Sequence, residues 1–167
     1  MTFYEDLASC DYFGAWESSL VAIGWLEANQ PIVTGEVSQA FLLKLVELCQ
    51  KPVQRRFIGC MMGLHRCGIC AAKGIYTERS LVVIGKRLEV GQTNLFVPAK
   101  DDARVFVAPS LIVHYITEHQ YCPPVEFQEA VLACPRMGSW SYYSAMRKRK
   151  ADIWSWWKFF RCLHLPK

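Results

Sequence analysis

Two cysteines and two histidines carry the chemistry that this sequence offers. Cys67 and Cys70 stand in Gly63-Leu64-His65-Arg66-Cys67-Gly68-Ile69-Cys70, a Cys-x-x-Cys with a glycine inside it. Two residues between thiolates let a tight turn aim both sulfurs at one point about 2.3 Å away, the zinc–sulfur distance. Gly68 removes the Cβ that would crowd such a turn. Further along, His114 and His119 are separated by four residues, inside the His-x(3–5)-His range of Cys2His2 sites. On a regular helix, positions five apart differ by about 500°, or about 140° off one face. The helix must therefore distort at its end for both rings to converge. Four protein ligands with no open position predict a structural Zn2+ rather than a catalytic one. His65 and Cys122 stand as replacement or supporting ligands, with Cys60 a more distant substitute.

Other chemistry competes for these residues. A Cys-x-x-Cys can be a redox pair, but that role wants the first cysteine at a helix N-terminus, where its thiol pKa falls. Here Ala71-Ala72-Lys73-Gly74 follows, and Gly74 cuts a helix short. Histidines on a helix are also ordinary core or surface residues. The sequence contains no Gly-x-Ser-x-Gly elbow, phosphate loop, Gly-x-Gly-x-x-Gly or His-Glu-x-x-His, and no His-x-Glu beside the ligands as in zinc deaminases. The expectation is a protein that is not an enzyme, and no feature points to a small-molecule substrate.

The elements that must position these residues follow from periodicity. Residues 1–7 read as a short helix or an edge segment. Leu20 to Leu26 reads as a buried strand, and Asn29-Gln30-Pro31 as a turn. Ser38 or Thr34 caps a helix whose apolar face is Phe41, Leu42, Leu45, Val46, Leu48 and Cys49, ending at Lys51-Pro52. Residues 53–80 are loop-rich, with glycines at 59, 63, 68 and 74. Strands are expected at Ser80–Gly85, Asn94–Val97 and Arg104–Val107, the last two joined by a turn at Ala99-Lys100-Asp101-Asp102. Pro109 is placed at the first or second position of a helix running to His119. A second helix spans Val125–Ala133, with Phe127, Val131 and Leu132 inward. The fold class is α+β: a small mixed or antiparallel sheet with helices, stapled by zinc. The 43 residues between Cys70 and His114 far exceed the dozen or so of a DNA-reading finger.

A wider pattern embeds these ligands. It runs Gly63-Leu64-His65-x-Cys67-x-x-Cys70, then Ala108-Pro109-x-Leu111-Ile112-x-His114-Tyr115-Ile116-x-x-His119-x-Tyr121-x-Pro123-Pro124-x-Glu126-Phe127-x-x-Ala130-Val131. Together with Tyr4-Glu5-Asp6-Leu7, Gly24-Trp25-Leu26 and Thr34-Gly35-Glu36-Val37, it resembles a group of small uncharacterised bacterial proteins. The resemblance covers residues 1–133 in patches and implies that the paired Cys and His residues form one site. It implies no activity, and it does not extend past Cys134.

Composition bounds the rest. The 167 residues are 52% hydrophobic and 20% charged, the profile of one globular domain with an appendage. No apolar run approaches the roughly 18 residues of a membrane span. Glu5 and Asp6 precede any basic residue, which reads as no signal peptide and points to the cytoplasm. The scattered Cys10, Cys49, Cys60, Cys134 and Cys162 read as free thiols acting as small hydrophobes. The net charge of +4 is uneven: residues 136–167 hold eight basic residues and one acid, leaving 11 basic and 14 acidic residues before them. The chain is thus divided into residues 1–134, the zinc-stapled domain, and 135–167, a basic, Trp-rich and helical appendage. Arg147, Lys148, Arg149, Lys150, Trp154, Trp156 and Trp157 are its candidate partner-binding residues. The appendage can pack back on the domain, dock a protein, or meet nucleic acid or an anionic membrane surface. The leading expectation is a non-enzymatic interaction module binding another protein, such as a bacterial immunity or regulatory protein. Nucleic-acid binding through the tail and thiol redox chemistry are the alternatives.

Overall fold

The computed structural model describes residues 3–12, 19–50 and 65–149. Cys60, Lys150, Trp154, Trp156, Trp157 and Cys162, the loop-rich stretch through residue 64, and the helix end at Lys51-Pro52 lie outside the described residues. The architecture is α+β. Its centre is a three-stranded mixed sheet: β1 (Leu20–Ala22) runs parallel to β5 (Val105–Pro109), and β5 pairs antiparallel with β4 (Asn94–Pro98). Every residue of these three strands is buried, which suits a sheet covered on both faces.

One cover is built from helix α1 (Gln39–Cys49) and helix α4 (Val125–Ala133). Ser38 caps α1, its hydroxyl accepting the Phe41 N–H at 3.2 Å. Phe41, Leu45, Val46 and Leu48 then turn inward at helical spacing. Phe127 of α4 stands edge-on to both Phe41 and Phe106, at 6.2 and 5.8 Å between ring centroids. Ala130 rather than Leu132 completes the buried face of α4; Leu132 is 49% exposed. Residues 3–10 form an edge segment, not a helix. Its Leu7 and Cys10 amides bond to Ala22 and Leu20 carbonyls, and Ser9 bridges Val21. Beyond β1, residues 23–26 stay buried, and the Trp25 indole donates to the Val107 carbonyl at 3.0 Å.

Three boundary expectations are corrected. The strand read from Leu20 to Leu26 ends at Ala22. The run from Ser80 is the first arm of a hairpin, β2 (Ser80–Val83) against β3 (Lys86–Glu89). Ile84 and Gly85 turn between them with φ of +49° and +69°, the two positive values of a twisted two-residue loop. Pro109 closes strand β5 opposite Asn94, and helix α3 (Ile112–His119) begins three residues later. The turn at Ala99–Asp102 stands as expected: Asp101 accepts the amides of Ala103 and Arg104, both at 3.0 Å, and joins β4 to β5.

Residues beyond Cys134 enter the same core. Helix α5 (Trp140–Lys148), capped by Ser139, buries Tyr142 and Met146, and the Tyr142 hydroxyl donates to the Phe96 carbonyl of β4 at 2.9 Å. No helix among the described residues is long and apolar enough to cross a membrane.

Candidate metal centre

Cys67 and Cys70 sit on a knuckle that opens helix α2 (Gly68–Ala72). Cys67 is the N-cap, and its sulfur accepts the Cys70 N–H at 3.4 Å. That bond folds the two side chains to the same side. A Cβ at Gly68 would meet the end of the Glu27 side chain, which can swing aside, while the nearest backbone atom, Ala28 N, is at an ordinary 3.5 Å; the turn itself does not demand glycine. The helix is only five residues long and stops before Gly74, which takes φ +70°, so the glycine does cut it short as expected.

Helix α3 supplies the other half. His114 lies in its first turn and is 5% exposed; His119 is its last residue. The expected distortion is found at the helix end. The N–H groups of Gln120 and Tyr121 both reach the Tyr115 carbonyl, five and six residues back instead of four. Gln120 is left-handed, with φ 55° and ψ 26°. The next residue is held twice: Tyr121 bridges Thr34, and its hydroxyl donates to the Asp6 carboxylate at 2.9 Å. Asp6 also accepts the Gly24 N–H at 2.8 Å. The end of α3 is thus tied to the first segment of the chain.

These elements bring Cys67, Cys70, His114 and His119 together, with all four ligand atoms within 4.8 Å of one another. His119 Nε2 is 3.3 Å from both sulfurs, and His114 Nε2 is 3.4 Å from Cys70 Sγ. Around a tetrahedral ion bound at about 2.3 Å to sulfur and about 2.05 Å to nitrogen, the S···N separation is about 3.6 Å. The observed spacing is within a few tenths of an ångström of it. The two imidazoles stand at 78° to each other, so both Nε2 atoms face the sulfurs without stacking. The four residues are positioned to hold a metal ion.

For that use the histidines are already in the right form, whereas the Cys67 thiol must give up a proton. Burial pushes the Cys67 thiol up to about 11, and the Cys70 thiol beside it adds to the rise. Burial lowers His114, with His119 adding; burial lowers His119, with Lys73 adding. Both imidazoles are therefore neutral at pH 7, the form that binds metal. Cys67 does sit at a helix N-terminus, where a redox thiol would be activated. Its pKa moves the opposite way, because burial outweighs one short helix.

The remaining candidates fall elsewhere. His65 donates its backbone N–H to Gly91 and lies outside the cluster of four. Cys122 is half-buried, 3.7 Å from the Gln128 amide nitrogen, and is no ligand of this cluster. Cys10 and Cys134 are buried cysteines and Cys49 a half-buried one; burial raises Cys49 and Cys134 to about 12. Arg147 and Lys148 are exposed at the end of α5. Arg149, grouped with them in the basic run, is instead 6% exposed. It donates to the carbonyls of Ala99 and Ala145 and pairs with Asp102 at 2.7 Å, clamping the β4–β5 turn. Sequence reading missed Asp6 and Tyr121 as supports of the histidine helix. They lie 115 positions apart, and no local pattern links them.

The model of one family, a domain of unknown function (DUF7919), matches residues 2–132. No curated protein and no solved structure matches the chain.

Proposed function

The chain belongs to that family, and we propose that it is a non-enzymatic interaction module built round one structural zinc ion held by Cys67, Cys70, His114 and His119. The observation that carries the reading is the convergence of two thiols and two imidazoles on one buried point. Soft sulfur with imidazole in a tetrahedral arrangement favours zinc among abundant divalent ions. Four protein ligands leave no position for water, so the ion braces the fold rather than activating a nucleophile.

The partner in this reading is another protein, in a regulatory or immunity role. Exposed apolar side chains gather in the segment after the knuckle: Ile75, Tyr76, Val82 and Ile84 are 56, 62, 74 and 42% exposed. Such surface favours contact with a partner. Nucleic acid is the second reading, favoured by one observation: Trp140, 84% exposed, shares a helix face with Ser144 and Arg147, next to Lys148. A base-stacking ring beside cations suits a single strand. The two readings separate by salt. Phosphate contacts weaken steeply as salt rises, whereas apolar docking does not.

The metal is tested first, by elemental analysis of protein purified without added zinc, beside a Cys67→Ser, His119→Ala double variant. About one zinc per wild-type chain is expected, lost in the variant together with much of its stability, since structural zinc contributes roughly 10–16 kcal/mol in small fingers. A folded, monodisperse wild type without metal overturns the reading.

A further inference from the structure

The β2–β3 hairpin leaves one main-chain edge open. The Val90 N–H bonds the Arg79 carbonyl at 2.9 Å, next to the ladder. Bonded and non-bonded pairs alternate from there, so 81–88 and 83–86 exchange bonds and 80–89 and 82–87 do not. Ser80 and Val82 therefore point their N–H and C=O groups away from β3. No main-chain partner meets them among the described residues. The opposite edge differs: Gln50, at the end of α1, reaches the Arg87 carbonyl of β3 at 3.5 Å.

Edge strands are ordinarily guarded by charge or proline. β2 is Ser80-Leu81-Val82-Val83 and has neither, and Val82 is 74% exposed. Its two faces differ. On one, Arg87 stands opposite Val82, and its guanidinium donates back to the Ser80 hydroxyl at 3.3 and 3.4 Å, which holds a cation over β2. On the other, Leu81 joins Ile75 and Tyr76 in lining a cavity of about 380 Å³. Glu78 and Glu118 line it too, so it suits a neutral side chain and repels an acidic one.

Charge decides what fits this edge. Residues 65–90 carry five exposed cations, Arg66, Lys73, Arg79, Lys86 and Arg87, against Glu78 and Glu89. The other residues before 136 hold six basic and twelve acidic ones, so this stretch is a basic island on an acidic body. We propose that β2 accepts an extended segment of another protein as a third strand, one that sets acidic residues on the Val82 face and apolar residues on the Leu81 face. Main-chain bonds to Ser80 and Val82 give attachment, and the cavity beside Leu81 selects the apolar side chain. A second copy of the chain fits less well, because β2 paired with β2 sets like charges against each other. The inference deepens the protein-partner reading and rests on it.

The test is fluorescence anisotropy of the full chain, metal content measured beforehand, with a labelled, capped heptapeptide of alternating glutamate and valine. Binding with Kd of about 100 μM or tighter is expected. The same peptide with lysine for glutamate should bind at least about tenfold more weakly. Two further peptides are N-methylated, one at every valine and one at every glutamate. One should lose at least about tenfold and the other should bind unchanged, because only one set of N–H groups can face β2. Val82→Pro removes an outward N–H while sparing the β2–β3 ladder, and should weaken the peptide at least about tenfold at unchanged metal content. If that variant does not fold, the methylated pair decides. No binding of the glutamate–valine peptide at about 1 mM overturns the proposal. So do a lysine peptide that binds as well, methylated peptides that bind alike, and a dimer in sedimentation that Val82→Pro abolishes. If the peptide fails while a labelled oligothymidylate binds and weakens steeply with salt, the protein-partner reading falls with it. If neither binds, strand addition alone falls.

Discussion

The burial that raises the Cys67 thiol to about 11 makes metal uptake a proton-releasing reaction across the neutral range. The bound form is the thiolate, and the free form holds its proton until pH approaches that value. Each pH unit gained below it therefore favours binding by about tenfold from Cys67 alone. The histidines act differently. Their folded-state values lie below 6.5, so above that pH they are already neutral and add nothing to the slope. Competition with a chromophoric chelator at pH 7.0 and 8.0 should show at least about a tenfold gain in affinity. A flat profile would mean that Cys67 is no ligand. At this scale the sequence was informative. The Cys-x-x-Cys and the His pair announce their chemistry by residue type and spacing. Arg149 does not: it reads as one more charge in a basic run, and only the turn at Ala99–Asp102, 50 positions away, takes it inside.

Element boundaries were harder to read, for reasons visible in single residues. Ile84 is β-branched and continues the apolar run of β2, yet it sits at φ +49°, a conformation such residues avoid. The turn before β3 was hidden by it, with Gly85 the only local signal. Pro109 reads as a helix opener, but as the last residue of a strand its missing N–H leaves the ladder intact. The strong signals were those with a physical cap. Ser38 starts α1 and Asp101 shapes the β4–β5 turn, both by side-chain bonds to nearby backbone. Gln120 offers a direct test of how α3 ends. Left-handed backbone suits glycine, so Gln120→Gly should raise stability by about 1 kcal/mol. Thermal unfolding would show it as a higher midpoint at unchanged metal content. A lower midpoint would mean that the side chain, not the backbone, sets this terminus.

For the whole molecule, the family match and the packing end in different places. The match stops at residue 132, at the end of α4, and the change in charge near residue 135 reads as the start of a separate appendage. Yet Met137, Tyr142 and Met146 are buried with the sheet and helices, and α5 covers β4. Burial of large apolar side chains contributes roughly 1.5–3 kcal/mol each. A chain ending at residue 134 should therefore lose about 3 kcal/mol or more relative to one ending at residue 149, read as a lower urea midpoint. Equal midpoints would make α5 a passenger. Charge marks a boundary in the sequence, but apolar side chains within the basic region decide where the core ends.

The ligands also define a span of chain. Cys67 and His119 are 52 positions apart, and α2, the β2–β3 hairpin, β4, β5 and nearly all of α3 lie between them. A metal joining these two points shortens the path that tension takes through the molecule. Pulled from its ends, the loaded chain passes force across the ion and leaves those elements out of the line. At roughly 3.5 Å per extended residue, about 180 Å of length stays hidden until the ion is released. The centre would then serve as a mechanical fuse, shielding half of the central sheet's ladder from a pull that has already undone the elements outside it.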